Sequence, residues 1–184
     1  MTRGTIRGVP TYVAFLRAVN LGAHRKFGKD HVAAATTAAG FTGVATHLNT
    51  GNVRVTTPMR SRARVEAALE TAYAADRGFE VPTVVLTPAE LRAVAADADE
   101  LGHGHEGTRY VCFLKDDPDP VAVAALEARS GDGERVVVRG RAAHLLVGEL
   151  AHTARLSNAV VERHVGVATS RNVRVVATLV EKWC

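Results

Sequence analysis

The order in which apolar runs alternate with amphipathic stretches limits what this chain of 184 residues can fold into. A short apolar run predicts a strand, whereas apolar residues at i, i+4 and i+8, such as Val65, Leu69 and Tyr73, predict a helix. The segment 49–52, Asn-Thr-Gly-Asn, is typical of a tight hairpin turn. For the first half we predict a strand at 11–19, a helix at 30–39, strands at 44–48 and 53–57, a helix at 60–76 and a strand at 79–86.

After a further helix and a polar segment, the second half begins the same pattern again. Thr87, Pro88 and Glu90 form a capping-box pattern, and the helix that they start is predicted to end near Ala96. The polar stretch 97–107 is the best candidate for a linker. Beyond it we predict a strand at 109–115, a helix from 117 to about 130, a hairpin of strands at 136–138 and 142–147, and a helix at 156–164.

The last segment departs from this repeat. Where a fourth strand is expected, Val176 and Val180 recur at helical spacing, so we predict a helix at 172–182 that Ser170 or Asn172 caps. The sequence thus predicts an α+β fold of two ferredoxin-like (RRM-like) βαββαβ subdomains, the second a variant that ends in a helix. The predicted divisions are a disordered leader at 1–10, a subdomain at 11–98, a linker at 99–108 and the variant subdomain at 109–184.

Composition and charge narrow the functional classes. Hydrophobic residues make up 47% of the chain and charged residues 23%, which is ordinary for a globular protein. The formal net charge of +4 is compatible with nucleic acid or a phosphorylated ligand, but no long Lys/Arg block demands either. The two cysteines, Cys112 and Cys184, lack metal-like spacing, and no apolar run reaches the ~18 residues of a membrane span. We therefore expect a reduced protein of the cytoplasm without a membrane partner.

Three short polar motifs, each at the end of an apolar run, are the candidate functional segments. The first covers residues 16–22 and leads into 24–26, the second covers 48–53, and the third covers 168–172. Together they carry arginines, asparagines, small hydroxyls and glycines, but no carboxylate. That set of side chains is suited to holding an anion and poorly suited to transferring protons.

Two interpretations stay open for the first motif. Arg17, inside an apolar strand, either pairs with an acid elsewhere or lies on an open sheet face, or else it presents its guanidinium to a planar anion. The loop with Asn20, Gly22, Arg25 and Lys26 has backbone amides that can form an anion-binding concavity before a helix. A plain connecting loop with solvated cations accounts for it as well. The loop matches neither a P-loop nor a dinucleotide-binding fingerprint.

The second and third motifs have ordinary structural explanations. Turn chemistry alone accounts for the asparagines and the glycine of the second motif. Ser170 and Asn172 are common helix caps. Arg171 is the exception, because a cation near the N-terminus of the predicted helix opposes the helix dipole by about 0.3–1 kcal/mol, and a bound anion would reverse that sign.

The sequence contains no established catalytic or metal-binding pattern. His103 and His105 stand two residues apart in a polar segment without further ligands nearby, so a solvated linker explains them better than a metal site. His24 is a candidate acid or base if it lies beside a ligand, although its motif holds no carboxylate to orient it. Neither G-x-S-x-G nor H-E-x-x-H occurs, and we predict no metal and no cofactor.

Taken together, the three motifs resemble a bacterial family called domain of unknown function 1697, over residues 11–182. Residues 16–23 are similar to its L-R-G-I-N-V-G-G segment, with alanines where two glycines are usual, and residues 48–53 to its I-N-S-G-N-V hairpin. Residues 168–172 resemble its T-T-R-N motif, with Val173 in place of the usual aromatic. The resemblance implies two ferredoxin- or RRM-like subdomains and no particular activity.

We therefore expect a protein that binds an anionic or phosphate-bearing ligand, with nucleic acid as one such ligand. Against RNA in particular, Tyr12 and Phe15 lie on opposite faces of the first strand by parity and cannot form a stacking pair. The alternatives are an enzyme acting on a small anionic substrate between the subdomains, and a structural or interaction protein. A shared site requires the three motifs to meet in one cleft. The candidate ligand-binding residues are Arg17, Asn20, Gly22, Arg25, Lys26, Asn49, Gly51, Asn52, Ser170, Arg171 and Asn172.

Overall fold

A computed structural model describes residues 8–20, 26–149 and 153–184 of the chain. Most of the predicted leader lies outside these residues. The described residues form eight strands and six helices. In chain order these are β1 (Thr11–Leu16), α1 (Lys29–Ala38), β2 (Thr42–His47), β3 (Asn52–Thr56), α2 (Arg62–Arg77), β4 (Thr83–Leu86), α3 (Pro88–Leu101), β5 (Thr108–Leu114), α4 (Pro120–Glu127), β6 (Arg135–Arg139), β7 (Ala142–Val147), α5 (Asn158–Val165), β8 (Ala168–Asn172) and α6 (Val173–Trp183).

The two halves repeat one order of elements. β1 to α3 form the first half and β5 to α6 the second, and the element types follow one another identically. The sheets have equivalent strand orders, β2-β3-β1-β4 and β6-β7-β5-β8, with antiparallel neighbours throughout. The predicted α+β fold with two ferredoxin-like subdomains is therefore confirmed. A terminal helix belongs to both halves, since α3 and α6 hold the same place in the repeat.

The prediction that the second half lacks its fourth strand is wrong. Residues 168–172 form β8, which pairs with β5. These residues are small or polar and show no apolar alternation, so only backbone pairing with the central strand makes them a strand. The predicted helix at 172–182 follows at once as α6. The carboxamide of Asn172 accepts from the Arg174 amide at 2.9 Å, so Asn172 rather than Ser170 caps it.

The largest differences from the predicted element boundaries lie at the end of α3 and at the start of β4. The capping box is confirmed, because Thr87 Oγ1 accepts from the Glu90 amide at 3.2 Å while the Glu90 carboxylate accepts from the Thr87 amide at 2.6 Å. The helix α3 that it starts continues to Leu101, so regular structure extends into the predicted linker. In contrast, β4 begins only at Thr83, directly after Pro82, which has no N–H to contribute to a strand ladder.

The protein has three apolar layers, one between the sheets and one on the outer side of each. The outer layer of the first half lies between its sheet and helices α1 and α2, and that of the second half between its sheet and α4 and α5. The middle layer joins the two sheets and includes α3 and α6. Tyr12 of β1 belongs to the outer layer and Phe15 to the middle one, which confirms that they lie on opposite faces. Both sheets are therefore covered on both sides.

On one edge of each sheet, glutamate side chains accept hydrogen bonds from the edge strand, which is β4 in the first half and β8 in the second. Glu70 and Glu66 of α2 accept from the amides of Thr83 and Val85 at 2.8 and 2.9 Å. In the second half, Glu162 of α5 accepts from the first amide of β8 at 3.1 Å. In each half the second helix thus supplies carboxylates to the edge of its own sheet. Among the described helices, none combines the length and apolar character needed to cross a bilayer.

Candidate functional site

The three polar motifs meet in one cleft between the two halves. The cleft has a volume of about 630 Å³. It is bounded by the end of β1 and the residues after it, by the β2–β3 turn, by α5 and by β8. Its lining residues are Leu16, Arg17, Ala18, Val19, Asn20, Asn49, Thr50, Asn158, Ala159, Glu162, Thr169, Ser170 and Arg171. The condition for a shared site, that the motifs converge, is therefore met.

Arg171 connects the two halves at the floor of the cleft. It lies in β8, opposite Val111 of β5 and one residue before Asn172, the N-cap of α6, and protein acceptors instead of a bound anion surround its charge. Its Nε donates to Asn52 Oδ1 at 2.6 Å, and its Nη2 donates to the carbonyls of Leu16 at 3.0 Å and Gly51 at 3.2 Å. Its Nη1 donates within β8, to Thr169 Oγ1 at 2.9 Å and to the Ser170 carbonyl at 2.7 Å.

These contacts use all the N–H donors of the Arg171 guanidinium. The residue is only 7% exposed, and burial lowers the pKa of its guanidinium to about 10. The cation also lies 5.6 Å from the centre of the Phe15 ring. Arg171 therefore holds the first and second motifs against β8 and has no donor left for a ligand.

Arg17 pairs with an acid on the other half of the chain, so one of its two open interpretations is met. Its Nε donates to Glu162 Oε1 and its Nη2 donates to Glu162 Oε2 at 2.9 Å, which makes the pair bidentate. Its side chain is still 35% exposed at the cleft. The pair thus crosses from the end of β1 to α5 while the guanidinium stays in reach of solvent.

Glu162 is a cleft residue that sequence reasoning did not select. Burial alone would raise its carboxyl pKa, but the hydrogen bonds from Arg17 and from the Ala168 amide outweigh burial and hold the pKa below its ordinary value. The carboxylate is thus ionised at neutral pH. Glu162 lies in the helix predicted at 156–164, outside the three polar motifs, so the motif pattern does not indicate it.

The asparagines hold the loops of the cleft together. Asn20 Nδ2 donates to the carbonyls of Phe27 and Asn49, and its Oδ1 accepts from the Phe27 amide at 2.8 Å. Asn49 Oδ1 accepts from the Lys29 amide at 3.0 Å, which links the hairpin to the start of α1. Asn52 Nδ2 donates to the His47 carbonyl and to Thr50 Oγ1, both at 2.9 Å. The asparagines thus use much of their hydrogen-bonding capacity to fix the loops.

The remaining candidate residues have varied places. Ser170 lines the cleft, whereas Asn172 lines a separate cavity of about 440 Å³ at the start of α6. Gly51 has φ +74° and packs so closely that a Cβ on it would lie 2.7 Å from the Leu16 Cβ. Gly22 and Arg25, like His24, lie outside the described residues.

Unusual backbone conformations concentrate around the cleft. Positive φ values of 56°, 58° and 58° occur at Ala18, Asn20 and Leu48, of which the first two line the cleft and the third starts the adjoining turn. A residue with a Cβ is disfavoured in this left-handed region, so surrounding contacts must hold it there. The asparagine and Arg171 hydrogen bonds supply such contacts. The cleft wall is therefore held in a defined conformation.

A basic cavity of about 510 Å³ adjoins the cleft and shares Asn20 and Asn49 with it. Its other lining residues are Lys26, Gly28, His31 and Arg77. Arg77 donates to Asp76 at 2.6 Å and its guanidinium lies 5.2 Å from the centre of the Phe27 ring. No carboxylate lines this cavity in the described part of the chain. We call it the basic mouth of the cleft.

Metal-binding geometry does not occur among the described residues, where no group of three His, Cys, Asp or Glu side chains could hold an ion. His105 of the predicted linker lies with Nε2 2.9 Å from the Val147 carbonyl oxygen. Cys112 is buried, and burial raises the pKa of its thiol to about 12, so it is a core residue and a poor nucleophile.

The second half contains an ion pair equivalent to Arg17–Glu162. Lys115 directly follows β5 as Arg17 directly follows β1, and it pairs with Glu70 of α2. Glu70 also accepts from the first amide of β4, just as Glu162 accepts from that of β8. Each half therefore sends a cation from its central strand to a glutamate on the second helix of the other half.

The fold and the cleft define a class of α+β protein with two equivalent βαββαβα halves and a polar site where they meet. A family model described as "Protein of unknown function (DUF1697)" matches residues 9–144, and the chain belongs to that family. The match includes the first two motifs, while the third lies beyond the matched residues. The family resemblance noted in the sequence is confirmed.

A solved structure, described as that of the conserved bacterial protein SP0830 from Streptococcus pneumoniae, is similar to this chain with a TM-score of 0.75. The sequences are 18% identical, and the similarity covers 95% of this chain and 98% of that one. At this level of identity the likeness shows a shared fold. Among curated proteins, none matches the chain.

Proposed function

We propose that this protein binds a small phosphate-bearing anion at the basic mouth. The observation that carries the proposal is the grouping of Lys26, His31 and Arg77 around a cavity of about 510 Å³ without a carboxylate among its described lining residues. Charge-assisted hydrogen bonds from cationic side chains are strong contacts for phosphate oxygens. Lys26 and His31 are exposed, so a ligand reaches them without rearrangement of the core.

The arrangement of the mouth supports binding by a formed site. Asn20 and Asn49, which line both the mouth and the cleft, are fixed by hydrogen bonds to the chain around them. The contact of Arg77 with the Phe27 ring and with Asp76 restricts its guanidinium. Because these groups are already ordered, less conformational entropy is lost when an anion binds.

A small anion fits this site better than a nucleic acid strand. RRM-type RNA binding uses aromatic side chains on an open sheet face. Here the corresponding faces are buried in the middle layer, and Tyr12 and Phe15 are core residues. The basic side chains of the mouth surround one cavity, whereas a nucleic acid strand is bound by a positively charged groove that follows its backbone.

Catalysis on a small substrate, the alternative function, has less support. Glu162 is the one carboxylate that lines the cleft among the described residues, and it is tied to Arg17. Its pKa is held below the ordinary value, so it is a weak base at neutral pH. Ligand binding without catalysis therefore explains more features of the site than a catalytic role does.

Calorimetric titration with glycerol 3-phosphate tests the proposal. The double variant Lys26→Ala/His31→Ala should bind at least about tenfold more weakly than the wild type, because it loses the ammonium group of Lys26 and the imidazole N–H donor of His31. Lys182→Ala, which removes an exposed lysine of α6 outside the mouth, is the matched control and should bind normally. Equal affinity of the double variant and the wild type would overturn the proposal. A single-stranded RNA that binds more tightly than this ligand, with a steep salt dependence, would favour nucleic acid instead.

A further inference from the structure

We propose that the ligand carries a carboxylate as well as a phosphate, and that Arg17 binds this carboxylate inside the cleft. The inference rests on the proposed function, since it assumes that the phosphate occupies the basic mouth. It assigns the ligand to the class of small phosphorylated carboxylic acids.

The guanidinium of Arg17 has one of its two hydrogen-bonding edges free. Glu162 takes the side edge, formed by Nε and one N–H of Nη2. The other edge, formed by Nη1 and the second N–H of Nη2, has no partner among the described residues. That edge has the spacing that binds a carboxylate through two parallel hydrogen bonds. Arg17 lines the cleft and its side chain is 35% exposed, so a ligand can reach it.

Glu162 fixes Arg17 for this contact. A bidentate pair defines the plane of the guanidinium, and the Ala168 amide in turn holds the Glu162 carboxylate. Glu162 is therefore a positioning residue for Arg17.

Arg171, the other cation of the cleft, cannot bind the carboxylate of the ligand. Every N–H of Arg171 is bonded to the protein, and the residue is buried. Arg17 is thus the cleft cation with unused donors in the part of the chain that the structure describes. One free guanidinium edge predicts one carboxylate.

The two subsites adjoin each other. The cleft and the basic mouth are neighbours, because Asn20 and Asn49 line each of them. Their volumes, about 630 and 510 Å³, lie within the range of small-molecule sites, roughly 300–1,000 Å³. A ligand with one anionic group in each cavity gains from the high effective concentration of the second group once the first is bound.

The experiment compares two ligands that differ at one carbon. 3-Phosphoglycerate has a carboxylate where glycerol 3-phosphate has a hydroxymethyl group, so their affinities for the wild type isolate the carboxylate. We expect 3-phosphoglycerate to bind at least tenfold more tightly in calorimetric titration. In the variant Arg17→Gln this advantage should fall below threefold, while the affinity for glycerol 3-phosphate stays within twofold of that of the wild type.

Lys115→Gln is the matched control, since it breaks the equivalent ion pair in the other half and leaves the cleft intact. It should keep the full preference for 3-phosphoglycerate. Equal binding of the two ligands by the wild type would overturn the carboxylate inference and leave the phosphate proposal standing. Binding of neither ligand would overturn both. If Arg17→Gln fails to fold, the comparison of the two ligands on the wild type still decides whether the site prefers a ligand with a carboxylate.

Discussion

Phe15 of β1 and Phe113 of β5 occupy equivalent positions in the two halves, and their rings stack across the middle layer with centroids 4.0 Å apart. Each is the penultimate residue of its central strand, and both are fully buried. The repeat thus places one residue type against its own counterpart where the sheets meet. The two halves share this core and should unfold together.

Phe113→Ala should therefore destabilise the whole protein. Removal of a buried aromatic ring leaves a cavity and costs about 3–5 kcal/mol. Urea unfolding followed by circular dichroism measures the loss. Val121→Ala, at a position that is 77% exposed, is the control and should stay within about 0.5 kcal/mol of the wild type. A loss below about 1 kcal/mol for Phe113→Ala would contradict a shared core.

Arg171→Lys should destabilise the protein although the charge is kept. Lysine cannot reproduce the planar set of N–H donors that Arg171 directs at Asn52 and the surrounding carbonyls. The buried acceptors that are left without a donor should lower the free energy of unfolding by about 3 kcal/mol. Thermal unfolding provides the measurement. Arg174→Lys, at an exposed site on the same segment, should leave the melting temperature unchanged, and equal effects of the two substitutions would refute the role of Arg171 as a link.

Gly51→Ala should cost more stability than Gly133→Ala. Both glycines have positive φ, 74° and 81°, so both substitutions place a Cβ in the disfavoured left-handed region at about 1 kcal/mol. Only at Gly51 does the new Cβ meet neighbours, at 2.7 Å from Leu16 Cβ and 2.9 Å from Val19 Cγ2. This steric overlap should add roughly 1–3 kcal/mol to the loss in free energy of unfolding, and chemical denaturation measures the difference. The same cost at both positions would mean that the turn moves away from β1 freely.

His144 should make stability fall in mild acid. This residue of β7 is 2% exposed and neither ring nitrogen has a partner in the described structure. Burial lowers the pKa of its imidazole to about 4, against 6.5 for an unhindered histidine, with Asp97 opposing and Arg139 reinforcing the shift. Between these pH values the unfolded chain binds more protons at this position than the folded chain, so stability drops as pH falls from 6.5 to 4.

The loss from His144 amounts to at most about 3 kcal/mol over that range. His144→Leu removes the titrating group from the folded and unfolded states alike. The difference in unfolding free energy between wild type and variant should therefore change between pH 7 and pH 4.5, in favour of the variant at low pH. Parallel pH profiles for the two proteins would show that His144 does not titrate on unfolding.

Periodicity and turn chemistry were sufficient to predict most of the fold. Helix caps such as Thr87 and hairpin residues such as Asn49 act over a few positions, so the sequence carries them directly. The strand β8 was missed because its residues have no apolar alternation and depend on β5 for pairing. Paired residues of these two strands are at least 54 positions apart, as Leu114 and Ala168 are, so a local sequence pattern does not reveal the pairing.

The site was predictable in its segments but not in its contacts. The three motifs were found, and their convergence follows only when the halves dock through the middle layer. The pairing of Arg17 with Glu162 joins residues 145 positions apart, and no motif contains the acid. For Arg171 the sequence indicates a ligand through the opposed helix dipole, whereas the acceptors that it contacts, the carbonyls of Leu16 and Gly51, become its neighbours only in the folded protein.

The glutamates along β4 and β8 have a consequence for how this protein behaves at high concentration. An uncovered strand at a sheet margin is a template on which a foreign strand can add, and such addition begins aggregation. At Thr83, Val85 and Ala168 the amides that an incoming strand would need are already bonded to carboxylates. Extension of the sheets at these two margins would require buried or half-buried glutamates to give up their partners. At the opposite margin of the second sheet, the amides of Val136 and Val138 in β6 are likewise bonded, to Ser130 Oγ at 3.1 Å and to Glu127 Oε1 at 2.8 Å, so strand addition is disfavoured there as well.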